Sequence, residues 1–170
     1  MFKYGSFRNF IVKLIVGLIL FSFGLIYLFS LYSYSPNDPG YQNINEGDVK
    51  NIIGLLGAYL SSYSLVFIGT LSYLFALFLS IEGVRFFLGI LNRLTILKFL
   101  SNLLGIVILN ISLKSFGENY LEKGVLSQII VDLFSIININ FLDNIFVYYV
   151  SNSFLFIFSV FLILVSFRVK

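Results

Sequence analysis

Four long stretches of the chain carry no charged residue, and this feature constrains the fold more than any other. They cover residues 14–37, 51–81, 99–113 and 144–167. A membrane-spanning helix needs about 20 largely apolar residues to cross a hydrocarbon core of roughly 30 Å. Only 11% of all residues are charged, whereas soluble domains carry about 25%. The sequence therefore predicts an all-α polytopic membrane protein.

We predict four transmembrane helices in a single domain of residues 1–170, at about residues 10–33, 52–82, 94–115 and 145–167. The third helix is extended past Lys98, because the long side chain of lysine can reach the headgroups from within a span. The second interval predicts a continuous helix long enough to project beyond the bilayer.

The basic residues predict the orientation. Eight of the eleven fall on one side of the predicted spans: Lys3, Arg8, Lys13, Arg85, Arg93, Lys98, Arg168 and Lys170. Cytoplasmic loops are enriched in Lys and Arg, so both termini are predicted inside, with two acidic loops outside. The first apolar run, residues 14–31, exceeds the 7–15 residues usual for a signal peptide and precedes no Ala-x-Ala site, which favours an uncleaved anchor.

The segment over residues 124–142 allows two interpretations. Apolar residues recur there at steps of three and four, which favours an interfacial helix over about 124–137 in the outer leaflet. The alternative is a fifth span, which would move Arg168 and Lys170 to the outside.

A proline-rich turn follows the first predicted span. Pro36 and Pro39 are the only prolines, and they disfavour helical conformation around Asn37 and Asp38. We expect the first helix to end here in a sharp outer turn, with the Asn37 and Asp38 side chains capping backbone N–H groups.

Small residues line the start of the second predicted span. Gly54, Ala58 and Ser62 recur every four residues, and Gly57 and Ser61 widen the same face. Small residues let helix backbones approach closely in a membrane, so this face is a candidate for helix packing or partner contact. The alternative is that the glycines only ease the passage of the chain into the bilayer.

These motifs together resemble a known family. Their order is similar to that in the four-helix membrane domain at the N-terminus of the FtsK/SpoIIIE DNA translocases. The motifs are Tyr34-Ser35-Pro36-x-Asp38-Pro39, then Asn51-x-x-Gly54-x-x-Gly57-Ala58, then Phe67-x-Gly69 followed by Tyr73-Leu74. The segment 123–135 resembles the outer segment of that domain. Ser61 and Ser62 depart from the family, where Ala-Asp is usual.

The resemblance implies an inner-membrane domain that anchors and localises a translocase at the division septum of a bacterium. It implies contacts with the lipid bilayer and with other cell-division membrane proteins. It also implies a homo-oligomer, a hexamer where the absent ATPase motor assembles, and a role in chromosome segregation. The alternative from a different class is a small polytopic channel or transporter subunit unrelated to division.

No enzymatic activity is predicted for this chain. It contains no Gly-x-x-x-x-Gly-Lys-Ser/Thr loop to bind phosphates, no Cys and no His. No catalytic residues, metal or cofactors are therefore predicted. Direct nucleic-acid binding is not predicted either, because the basic residues lie at the ends of spans, where topology explains them.

Polar residues inside the predicted spans offer few candidates for chemistry. Glu82 and Arg85 are predicted as an ion pair at the inner end of the second span, the alternative being a proton relay. Asn102, Asn110 and Asn152 are candidates for hydrogen bonds between helices. No charge is predicted deep in any span, which disfavours a transporter.

Overall fold

The computed structural model describes residues 4–41, 43–44, 48–90, 95–114, 124–126, 128–130 and 145–168. These residues form helices joined by turns and loops, which confirms the all-α class. The long helices are α1 (Tyr4–Tyr32), α2 (Leu55–Phe67), α3 (Ser72–Phe87), α4 (Thr95–Lys114) and α5 (Ile145–Phe167).

Three of these helices are long and apolar enough to cross a membrane: α1 over Asn9–Tyr32, α4 over Ile96–Leu113 and α5 over Tyr149–Phe167. Large apolar side chains such as Ile19, Phe154 and Ile157 point outward from the chain. Lipid tails are the natural surroundings for such side chains, so the chain is a membrane protein.

The predicted continuous helix over residues 52–82 is corrected by the structure, which divides it into α2 and α3. Gly69 breaks it by adopting a φ of +80°, a conformation that only glycine reaches without strain. The Ile68 N–H still donates to Ser64 O at 2.8 Å, and the Ser72 N–H donates to Gly69 O at 3.0 Å. Hydropathy does not register such a turn, because residues 68–71 are themselves mostly apolar.

The helices fall into two compact units. The first contains α1, the loop that follows it, the first half of α2, and α3; the second contains the rest of α2, the turn after it, α4 and α5. Buried apolar side chains of the first unit include Tyr27, Leu31 and Phe78, and those of the second include Ile106 and Ile163.

In the first unit α1 and α3 run antiparallel in backbone contact at glycines. A Cβ atom on Gly24 would lie 2.6 Å from Ser80 N, and one on Gly83 would lie 2.6 Å from Phe21 Cα. Real Cβ atoms do not approach other atoms so closely, so only glycine fits at these positions. The facing pairs are Gly17 with Phe87, Phe21 with Gly83, and Gly24 with Ser80.

The helices α2 and α3 both begin at the C-terminal end of α1. A Cβ atom on Gly57 would lie 3.0 Å from Ser30 Oγ, and the Tyr73 hydroxyl donates to Leu31 O at 2.7 Å. A continuous helix would separate residues 57 and 73 by about 24 Å. The helix that runs back along α1 is therefore α3, whereas α2 stays at the end where α1 stops.

In the second unit α4 packs on α5 and on the turn between α2 and α3. A Cβ atom on Gly105 would lie 2.7 Å from Ile163 Cγ1. The side chain of Asn110 donates to Ile68 O at 2.6 Å. Residues 125–126 and 128–130 are helical, but most of the predicted interfacial helix over 124–137, and of its fifth-span alternative, lies outside the described residues.

Candidate functional site

The loop over residues 33–54 is closed by the buried carboxylate of Asp38. Its Oδ1 accepts the backbone N–H of Lys50 at 2.9 Å, and its Oδ2 accepts that of Asn51 at 2.8 Å. We expected Asp38 to cap N–H groups of its own turn. Its donors instead lie twelve and thirteen residues further along the chain, so the carboxylate joins the two ends of the loop.

Asn51 connects this closed loop to the end of α1. It is 4% exposed, and its Nδ2 donates to Ser30 O at 2.8 Å. Its Oδ1 accepts the N–H of Ile53 at 3.1 Å. The last four carbonyls of a helix have no partner within the helix. Asn51 at Ser30 O and Tyr73 at Leu31 O supply two such partners from distant parts of the chain.

The other residues of the predicted outer turn are placed differently from one another. Pro39 is buried beside Asp38, whereas Pro36 and Asn37 are exposed. The Asn43 side chain donates to Pro36 O at 3.1 Å across the loop. Asp38 is thus a member of the turn whose side chain holds the loop.

The small residues predicted on one helix face have two different roles. Gly57, Ala58, Ser61 and Ser62 are buried on α2, and the Ser61 hydroxyl donates to Gly57 O at 2.8 Å. Gly54 precedes α2 with a φ of +76°, and its carbonyl accepts the Ala58 N–H at 3.0 Å. Gly54 therefore lies directly before the helix and accepts its first backbone hydrogen bond. The four buried residues pack within the chain itself.

Replacing Asp38 with alanine is expected to destabilise the loop by about 2–3 kcal/mol, because hydrogen bonds to a charged group contribute about 1.5–3 kcal/mol. Proteolysis of the loop in detergent micelles measures the change as faster cleavage. Asp48→Ala is the matched control, because Asp48 is exposed in the same loop. Equal cleavage rates for the two variants would contradict the role of Asp38.

Replacing Ala58 with leucine is expected to destabilise the packing of α2 by about 1–3 kcal/mol, because Ala58 is 1% exposed and overpacking a filled site strains its neighbours. Membrane insertion should be unaffected, since leucine is favourable in lipid. Thermal unfolding in micelles measures the effect. Leu55→Ile, at an exposed position of the same helix, should be neutral; an equal midpoint for the two variants would show that Ala58 is not tightly packed.

The ion pair between Glu82 and Arg85 lies far deeper than predicted. Gly83 contacts Phe21, near the middle of the apolar run of α1. Glu82 is also nine residues beyond Tyr73, hence about 14 Å from the end of α1. The two side chains are 6% and 12% exposed and contact each other directly. The pair therefore lies level with the apolar run of α1 and not beyond its inner end.

Sequence reasoning placed these two residues incorrectly because it treated α2 and α3 as one helix. With that helix continuous, Glu82 falls at its inner end; with α3 as the returning helix, it falls near the middle. A charge at this depth is costly unless it is paired. An Arg three residues after a Glu on one helix provides the pairing locally.

Of the asparagines predicted to bridge helices, Asn102 joins α4 to α5, and Asn110 joins α4 to the turn after α2. The Asn102 side chain donates to Ser166 Oγ at 2.9 Å, and Asn110 donates to Ile68 O. The Ser101 hydroxyl also donates to Leu162 O at 2.9 Å. Asn152 is buried, and its Nδ2 has no hydrogen-bond partner among the described residues.

Glycines of the α1–α3 contact are the residues that sequence reasoning missed. Gly17 and Gly24 are seven residues apart, which places them on one face of α1. That spacing was a readable signal. Gly83, which contacts Phe21 in the same pair of helices, could not be recognised from the sequence. Its contact with α1 depends on the turn at Gly69.

These features define a helical, polytopic membrane domain held together by glycine contacts, a closed loop and buried polar pairs. Within the described residues no group of three or more metal-binding side chains is present. The family model for the 4TM region of DNA translocase FtsK/SpoIIIE matches residues 11–129. The chain belongs to this family, which confirms the resemblance. No curated protein and no solved structure matches the chain.

Proposed function

We propose that this domain anchors an FtsK-like DNA translocase in the bacterial inner membrane and localises it to the division septum. The observation that carries the proposal is the family match over residues 11–129. Three helices of spanning length support the anchoring role. The domain acts by contacts with other membrane proteins of cell division. The motor is a hexameric ATPase outside residues 1–170 that serves chromosome segregation, and the domain has the same oligomeric state as the motor.

The orientation we propose places both termini in the cytoplasm. Basic residues before α1, at Arg93 and Lys98, and after α5 support it. In this orientation the loop closed by Asp38 faces outward, and a motor that follows the C-terminal end of α5 meets DNA in the cytoplasm.

Localisation is tested by fusing the chain to a fluorescent protein and imaging dividing cells. We expect enrichment at the septum, because the proposed partners assemble there. The control is a fusion of an unrelated four-span inner-membrane protein, because two membranes lie side by side at the septum and raise the fluorescence of any membrane protein there. Uniform labelling of the membrane by both fusions would contradict septal localisation.

Topology is tested by single cysteines, since the natural chain has none. Cysteine at Asn43 or Glu118 should react with an impermeant thiol reagent added outside intact cells. Cysteine at Asn92 should react only after lysis. Labelling at Asn92 in intact cells would refute the proposed orientation.

A further inference from the structure

Two faces of α2 differ sharply in side-chain size and exposure. The buried face carries the small residues described above. The opposite face carries Leu56, Tyr59, Tyr63 and Phe67, which are 81%, 40%, 44% and 40% exposed. Steps of three and four residues place these side chains on one stripe, which we call the aromatic ridge. The rings of Tyr63 and Phe67 stack with centroids 6.3 Å apart, so this part of the ridge is flat.

Each end of α2 lies beside the C-terminal end of a spanning helix. In the first unit Gly57 packs beside Ser30, two residues before the end of α1. In the second unit the carbonyl of Ile68 accepts from Asn110, four residues before the end of α4. In the first unit the Tyr73 hydroxyl also donates to Leu31 O, so the chain enters α2 and begins α3 at the same end of α1.

The chemistry of the ridge matches the boundary between lipid tails and headgroups. No charged residue occurs over residues 51–81, and the 13 residues of α2 make about 20 Å of helix, too short to span roughly 30 Å of hydrocarbon. Tyrosine is enriched at membrane interfaces, because its ring is apolar and its hydroxyl is polar.

We infer that α2 is an interfacial helix whose aromatic ridge lies in the phospholipid headgroup region at the side where α1 ends. The second crossing of the membrane is then made by α3 alone. Its 16 residues make about 24 Å of helix, and the bilayer is expected to thin locally or α3's flanking residues to extend toward the headgroups. This placement stands on the helix contacts and does not depend on the proposed role in division.

The test uses tryptophan as a depth probe, because the natural chain has no Trp. The full chain carrying Tyr63→Trp is reconstituted in phosphatidylcholine vesicles whose acyl chains are brominated at a shallow or a deep position. Phe23→Trp is the deep reference, since Phe23 is exposed near the middle of α1. Tyr41→Trp is the aqueous reference, since Tyr41 is exposed in the loop.

The Tyr63→Trp protein should be quenched most strongly by the shallow bromines, at least about twofold more than by the deep ones, and only weakly by aqueous iodide. The Phe23→Trp protein should show the reverse order of bromine depths. Three results would overturn the inference. Quenching like that of Phe23→Trp would mean a spanning helix, quenching like that of Tyr41→Trp would mean a helix in water, and protection from both quenchers would mean that protein covers the ridge.

Discussion

Replacing Gly24 with leucine is expected to separate α1 from α3 and to cost about 3 kcal/mol or more of folding free energy, at or above the upper end of the usual cost of overpacking. Even a Cβ atom at this position would lie 2.6 Å from Ser80 N and 2.9 Å from Ser80 Cα. These are backbone atoms, so no rotamer change relieves the clash and the helices must move apart. Thermal or denaturant unfolding in micelles measures the loss.

A matched control lies two residues away on α1. Ser22 is exposed, so Ser22→Leu adds an apolar side chain that faces lipid and is expected to change stability by less than about 0.5 kcal/mol. Membrane insertion should be equal for both variants, because leucine favours insertion at either site. Gly83→Leu, on the opposite helix of the same contact, should resemble Gly24→Leu. Equal stability of the Gly24 and Ser22 variants would show that the helices do not approach each other closely.

Charge-free runs predict where the long helices lie, because a buried charge is costly in lipid whatever the tertiary structure. The helices α1, α4 and α5 therefore fall on the runs over 14–37, 99–113 and 144–167. The run over 51–81 satisfies the same criterion, yet it contains two helices. Its break depends on the backbone of one glycine, Gly69, which contributes almost nothing to a hydropathy average.

Contacts between distant segments were beyond the reach of sequence patterns. The two prolines predicted correctly that α1 ends by Pro36, because they act on neighbouring residues alone. The donors to Asp38 depend on how a long loop returns to its start, so they are not encoded at the turn itself. Likewise, the depth of Glu82 follows from the pairing of α3 with α1 and is invisible in its local sequence.

Removing the positive partner of the buried ion pair should be far more harmful than removing both charges. The Arg85→Met substitution deprives the Glu82 carboxylate of the guanidinium that contacts it and is expected to cost about 3–5 kcal/mol. Replacing both residues with methionine should restore most of that stability, because exchanging a buried pair for apolar side chains of similar volume is often neutral.

A double-mutant cycle in micelles shows whether Glu82 and Arg85 stabilise each other or act independently. If the charges mainly neutralise each other, Arg85→Met and Glu82→Met are each destabilising and the double variant is close to the natural protein, so the coupling free energy equals the sum of the two single losses and exceeds about 3 kcal/mol. Arg168→Met is the control for losing an exposed arginine, since Arg168 is exposed at the end of α5. Additive losses in the double variant would show that Glu82 and Arg85 act through separate partners. In that case their mutual contact would not explain how two charged residues are accommodated beside the apolar run of α1.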